Sequence, residues 1–239
     1  MKFFKAKQTL NYCGCNFYDF FASFPLWAIR PIINTYYCDC WADVPEKPPI
    51  LFIHIPKNAG SSVTEAIYGR STGHRPAWMY MANSKKKFYD RTSFAVVRNP
   101  YDRFCSIFHH YLSSPRLSPW EANVGKTFFS KYSTPDEFAH AIAANSKRRA
   151  FFKTLTPSLS QTNWLKVNGK IAVQYLFLFE KMDKLEIFLR NILDDPQFFL
   201  PHANASKRHG SWEKELGTEA KQIIKNLYKD DFQLWESLV

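Results

Sequence analysis

Along this chain the spacing of apolar and polar residues changes period several times, and each change predicts an element. Leu51 to Ile55 is an apolar, β-branched run interrupted only by His54, which predicts a buried strand. Pro56 ends it, because proline has no N–H to offer the ladder. A helix is expected almost at once: Ser62 and Glu65 have the spacing of a capping box, and Gly69 suits its stop. Gly73-His74-Arg75-Pro76-Ala77 is too broken for regular structure and reads as a loop above the sheet. Ser93 to Val97 predicts a second buried strand that ends in Arg98-Asn-Pro. Pro100 suits the first turn of the next helix, where no N–H is needed. Phe104, Ile107, Phe108 and Tyr111 mark that helix's core face, with Asp102, Ser106 and His109 pointing roughly the other way.

Thr134-Pro-Asp-Glu137 is a second capping box, opening a helix to about Ala144. Residues 145–170 read as polar and irregular, and Ile171 to Phe179 as a third strand. Glu180 leads into a helix with an apolar stripe of Met182, Leu185, Leu189 and Ile192. After a basic loop over 202–210, a last helix from about Thr218 carries Ile223, Ile224, Leu227 and Tyr228. Strands alternating with helices predict an α/β fold, a parallel sheet whose ligands sit beyond the carboxyl ends of its strands. Lys57 and Arg98 both lie just past such ends, so one crevice is expected to hold both.

Composition separates the two ends of the chain. Residues 1–48 are aromatic and hold four of the five cysteines, and the prolines from Val44 to Pro49 suit an extended connection. The expected division is an N-terminal extension over 1–48, packed on the core because exposed aromatics are a liability, and one domain over 49–239. Cys13, Cys15, Cys38, Cys40 and Cys105 fit neither a disulfide framework nor the usual C-x₂₋₄-C of a zinc site, so no metal is expected. No run of 18 apolar residues predicts a membrane span; the nearest, Phe20 to Ile29, is short and contains Pro25, and no clean signal-cleavage site follows it. A cytoplasmic location is expected, with the Golgi lumen as the alternative if an anchor has been left out.

Net charge is +11, which suits polyanions and equally a cofactor rich in phosphate and sulfate. Nucleic acid is not expected, since zinc-finger spacing, an RNP-like segment and a long basic helix are all missing. Strand, tight turn with Gly60 and helix N-terminus together build a nest of backbone N–H groups that favours an anion. A Walker loop places Lys-Ser/Thr after its last glycine so that the hydroxyl holds magnesium. Here Lys57 precedes Ala59-Gly60, which disfavours a magnesium nucleotide.

Residues 54–62, His-Ile-Pro-Lys-Asn-Ala-Gly-Ser-Ser, resemble the phosphosulfate loop of sulfotransferases that use 3′-phosphoadenosine 5′-phosphosulfate (PAPS), in the Golgi-type and bacterial "family 2" branch. Val97-Arg-Asn-Pro-Tyr-Asp-Arg-Phe-Cys-Ser106 resembles the same family's second cofactor motif. The resemblance covers residues 50 to about 235 and implies the P-loop-like sulfotransferase fold. It also implies a metal-free PAPS site made by Lys57, Asn58, Ala59, Gly60, Ser61 and Ser62, with Arg98 and Ser106 on the 3′-phosphate, and adenosine 3′,5′-bisphosphate as product. His74, between the motifs, is implied as the base, with His109 as fallback and His54 structural, and Lys57 as the group that stabilises the leaving phosphate. Phe-Glu-Lys-Met and Asn204-Ala-Ser-Lys207 resemble later landmarks, so Ser206 and Lys207 are further expected contacts. Trp164 reads as core. The acceptor is expected to be a small natural product or a saccharide carrying a hydroxyl or amine, and Trp78, Tyr80 and Trp120 are candidate contacts for it. Two alternatives remain: a P-loop kinase, or a basic module that binds anionic glycan or nucleic acid through Lys85-Lys-Lys87 and Lys147-Arg-Arg149.

Overall fold

The computed structural model describes residues 17–22, 24–36, 40–201 and 211–239. Cys13, Cys15, Cys38 and the basic loop with Ser206 and Lys207 lie outside the described residues. Helices α1 (Phe17–Ala22) and α2 (Leu26–Tyr36) precede strand β1 (Ile50–Phe52), which leads to α3 (Gly60–Tyr68), α4 (Ala77–Asn83) and α5 (Lys85–Tyr89). Strand β2 (Thr92–Val97) feeds α6 (Pro100–Ser113), α7 (Pro119–Val124) and a π-helical turn over Gly125–Phe129. Then come α8 (Pro135–Ala144), α9 (Ser146–Thr154), α10 (Gln161–Leu165) and the hairpin β3 (Lys166–Val167) and β4 (Lys170–Ile171). Strand β5 (Tyr175–Leu178), α11 (Met182–Leu193), α12 (Trp212–Glu215), α13 (Thr218–Leu227) and α14 (Lys229–Glu236) complete the order.

β1, β2 and β5 form a parallel sheet in the order β1-β2-β5, with Phe52 beside Phe94 and Val97 beside Leu178. The middle strand is buried from Ser93 to Val97, which is why its sequence is a continuous apolar run and not an alternation. The edge strand β1 has the Tyr68 hydroxyl of α3 on its open side: it accepts from Phe52 N (3.0 Å) and donates to Ile50 O (3.3 Å). Unpaired edge groups are thereby satisfied within the chain. One hydrophobic core surrounds the sheet and takes in Tyr18, Ile29, Trp41 and Trp164; a second, phenylalanine-rich core joins α6 to α8, α9 and α13. Phe104, Ile107, Phe108 and Tyr111 are all buried in the second, as their spacing predicted.

Four expectations change. The run from Leu51 to Ile55 is buried throughout but leaves the ladder early: Ile53 N still donates to Phe94 O (2.9 Å), whereas Ile55 N turns back onto Ile53 O (3.1 Å). Ser62 does not cap α3, because the helix has already begun at Gly60, with Ala59 at the N-cap in the left-handed region. Residues 145–170 are not irregular: Asn145 caps α9 by accepting from Arg148 N (3.0 Å), a helix whose lysines and arginines hide its short apolar face. Ile171 belongs to the hairpin and not to β5. Asn168 and Gly169 both have positive φ (49° and 77°), the Asn-Gly turn that closes a two-residue hairpin.

Candidate active site

The chain passes from β1 to α3 through a loop that any ligand at the sheet's carboxyl edge must meet. Lys57 (φ 70°) and Ala59 (φ 59°) both take the left-handed backbone conformation, which is uncommon for residues with a Cβ. Between them Asn58 is buried, and its amide donates to Val96 O (2.7 Å) and Gln161 Oε1 (2.6 Å). Its side chain thus ties the loop to the end of β2, and what Asn58 presents to an anion is backbone. No side chain caps α3, so its first-turn amides at Gly60 and Ser61 depend on solvent or a ligand. Ser61 is exposed beside them, and Ser62 is buried.

Gly60 has a reason to be glycine that differs from turn geometry. A Cβ there would lie 1.9 Å from His54 Cδ2 and 2.1 Å from Nε2. The His54 ring is buried between Gly60 and His74, whose ring centroid is 4.1 Å away. Gly60→Ala should therefore push His54 into His74 and cost roughly 1–3 kcal/mol of stability by overpacking. Thermal unfolding checks this, with a fall of roughly 2–12 °C expected; an unchanged midpoint would mean that the ring yields without cost.

Arg98 leaves the end of β2 and is 8% exposed. Its Nη1 donates to Lys57 O (2.8 Å), its Nε to Asp102 Oδ2 (2.6 Å), and its guanidinium lies 4.1 Å over the Phe179 ring. The structure thus brings the two strand ends into direct contact. Ser106, 6% exposed, follows Asp102 by one helical turn on α6. Gln161 locks this arrangement: its Oε1 accepts from Asn58 and from Arg98 N (2.9 Å), while its Nε2 donates to Arg98 O (2.9 Å). Gln161 is oriented in turn by buried Asp231 of α14, which accepts from Gln161 N (2.7 Å) and Thr162 N (3.0 Å). Buried Arg103 reaches from α6 to Pro56 O (3.2 Å) and to Pro157 O and Leu159 O (2.8 Å each). Glu180 accepts from Asn99 N (2.7 Å) and fixes the turn into α6.

His74 lies in the loop before α4 and is exposed. Its Nδ1 is 3.2 Å from His54 O. A carbonyl only accepts, so Nδ1 carries the proton, and the lone pair of the neutral ring is at Nε2. His54 beneath it is held well below the ordinary histidine pKa by burial, and then by His74, so it adds no charge. The loop is clamped from both sides: Tyr18 of α1 donates its hydroxyl to His74 O (3.1 Å), and Arg75 pairs with Asp43 (2.6 Å). Trp164 is buried in the core as expected, with its ring 6.1 Å from that of His74.

Several expected contacts fall elsewhere. Trp78 and Tyr80, 2% and 1% exposed, are enclosed because α4 packs between α2 and the core, so they meet no acceptor; Trp120 is 40% exposed. His109 pairs with Glu215 of α12. His110 instead is the histidine that feels Lys57 and His74. Tyr18, Gln161, Asp231 and His110 were not singled out in the sequence. The first three carry no motif, while His110 differs from His109 by only one helical position.

A loop of left-handed residues, an uncapped helix start and a buried arginine lie together at the carboxyl edge of a parallel sheet, the edge at which α/β proteins hold their ligands. The family model described as "Sulfotransferase family" matches residues 42–236. The chain belongs to the sulfotransferase family, in its family 2 branch, and so is an enzyme of sulfuryl transfer. No curated protein and no solved structure matches it significantly. Among the described residues, no three His, Cys, Asp or Glu are grouped to hold a metal ion, and no helix is long and apolar enough to cross a membrane.

Proposed function

We propose that the enzyme takes its sulfuryl group from PAPS and passes it to a hydroxyl or amine of a small natural product or saccharide, with residues 49–239 as the catalytic domain and 1–48 as its extension. The observation that best supports this reading is the 2.8 Å bond from Arg98 Nη1 to Lys57 O, which joins the ends of the two motif-bearing strands. The residues fit such a cofactor: the amides of Gly60 and Ser61 with Lys57 suit a phosphosulfate, Ser62, whose N–H bonds Ala59 O (3.1 Å), is left to contribute its hydroxyl, and Arg98 with Ser106 suits a 3′-phosphate. Asn58 and Ala59 shape the loop between them. Ser206 and Lys207 remain proposed contacts on the nucleotide.

When bound there, PAPS supplies an activated sulfuryl group. His74 Nε2 takes the proton of the acceptor as its oxygen or nitrogen bonds to sulfur. The Lys57 ammonium stabilises the electron pair left on the oxygen that bridged sulfur and phosphorus. That role needs no metal.

Adenosine 3′,5′-bisphosphate at about 100 times its dissociation constant should raise the unfolding midpoint by roughly 5–10 °C with chelator present. No shift, or a shift only with magnesium, would sink the cofactor assignment. Mass spectrometry after incubation with PAPS and an acceptor library, read for a sulfate mass gain, identifies the acceptor class.

A further inference from the structure

His74 stands in a stretch without regular structure, residues 71–76, between α3 and α4. No helix or strand ladder fixes the backbone there, and Gly73 before it takes the left-handed conformation (φ 67°). The His74 ring is anchored through Nδ1 on His54 O (3.2 Å), but it still moves with its own backbone. That backbone is held by Tyr18, whose hydroxyl donates to His74 O (3.1 Å) across 56 residues of chain. Tyr18 is 7% exposed although it sits on the six-residue helix α1, because its ring packs against Trp164 with centroids 5.1 Å apart. Trp164 in turn lies 6.1 Å from the His74 ring. One side chain thus supports both the main chain of His74 and the wall beside its ring. Arg75, paired with Asp43 (2.6 Å), gives the loop a second fixed point. Tyr18 lies outside residues 42–236, the span that the family model matches.

We propose that Tyr18 is a positioning residue for the transfer reaction: acting through His74, it holds Nε2 where the acceptor's proton must be met, so that the N-terminal segment completes the catalytic apparatus. This rests on the reading of His74 as the base. A general base works only within hydrogen-bond reach of the proton it takes, and a displacement of about 1 Å can cost roughly 10²-fold in rate. An exposed ring on an irregular loop keeps that accuracy only if its backbone is braced. Tyr18 exchanges no proton: its phenol stays a donor to a neutral carbonyl throughout, and the acceptor's proton goes to His74.

Tyr18→Phe tests this, since it removes the hydroxyl and keeps the ring on Trp164. Its kcat should fall by roughly 3- to 10-fold, the worth of one hydrogen bond, with KM for PAPS and the stabilisation by adenosine 3′,5′-bisphosphate unchanged. In a His74→Ala background the same change should leave the residual rate as it is, because no base remains to be positioned. Trp27→Ala, on the exposed side of α2 (79% exposed), is the control for the segment and should leave turnover unchanged. Wild-type kcat in Tyr18→Phe, an equal loss in the His74→Ala background, or an equal loss with Trp27→Ala overturns the proposal and leaves His74 as the base. Near-normal turnover in His74→Ala alone would instead remove the base, and this proposal with it. No sulfate transfer from PAPS by the wild type would remove the cofactor reading as well.

Discussion

Replacing Lys57 by methionine should slow sulfuryl transfer by roughly 10²- to 10³-fold, the loss seen when one preorganised donor is removed from developing charge. The effect should fall on kcat, because charge on the bridging oxygen appears only as the bond to sulfur breaks. Methionine keeps the chain length, and the Lys57 carbonyl that Arg98 Nη1 meets at 2.8 Å is backbone and survives the change. The left-handed conformation at position 57 (φ 70°) costs an unbranched methionine no more than it costs lysine, so the unfolding midpoint should hardly move. Steady-state kinetics beside thermal unfolding separate the two readouts. Turnover within tenfold of wild type would mean that Lys57 does not face the breaking bond.

His74→Ala should reduce turnover by roughly 10²- to 10⁴-fold, with the stabilisation by adenosine 3′,5′-bisphosphate retained. The ring is exposed and its Nδ1 is committed to His54 O (3.2 Å), which directs the lone pair of Nε2 to the acceptor. Truncation leaves the backbone bond from Tyr18 to His74 O (3.1 Å) in place, so the loop should keep its path. The pH profile adds a readout that a purely structural role would not move. A proton on Nε2 blocks the base, so wild-type kcat should fall on the acid side, and that limb should be missing from the variant's residual rate. His54 does not substitute, because burial keeps its ring enclosed and the Gly60 backbone closes over it. A variant with near-normal turnover would remove His74 from the chemistry.

The loop residues 54–62 and the run from Val97 to Ser106 could be recognised in the chain because each is contiguous, and local order places a strand end, a turn and a helix start together. Helices with a clear apolar face were equally legible, as the burial of Leu185 and Leu189 on α11 and of Ile224 on α13 shows. Some local signals were present and passed over: Asn168-Gly169 marks a hairpin, and it divides what reads as one strand from Ile171 to Phe179. Helical periodicity could not choose between His109 and His110, since both lie within one turn of Ser106. The choice was made by Glu215, over a hundred residues away, which engages His109.

What the sequence determined by itself was the chemistry available at the two strand ends, Lys57 and Arg98, and the alternating order that makes a parallel sheet. Only the tertiary structure decided that Gln161 joins Asn58 to Arg98, that Asp231 of the last helix orients Gln161, and that Tyr18 of the N-terminal segment holds the His74 loop. The reason is physical. A contiguous motif is set by short-range sterics and backbone hydrogen bonding, whereas these supports are hydrogen bonds between groups 56 to 103 residues apart, which no local pattern encodes and which form only when the core closes around the sheet.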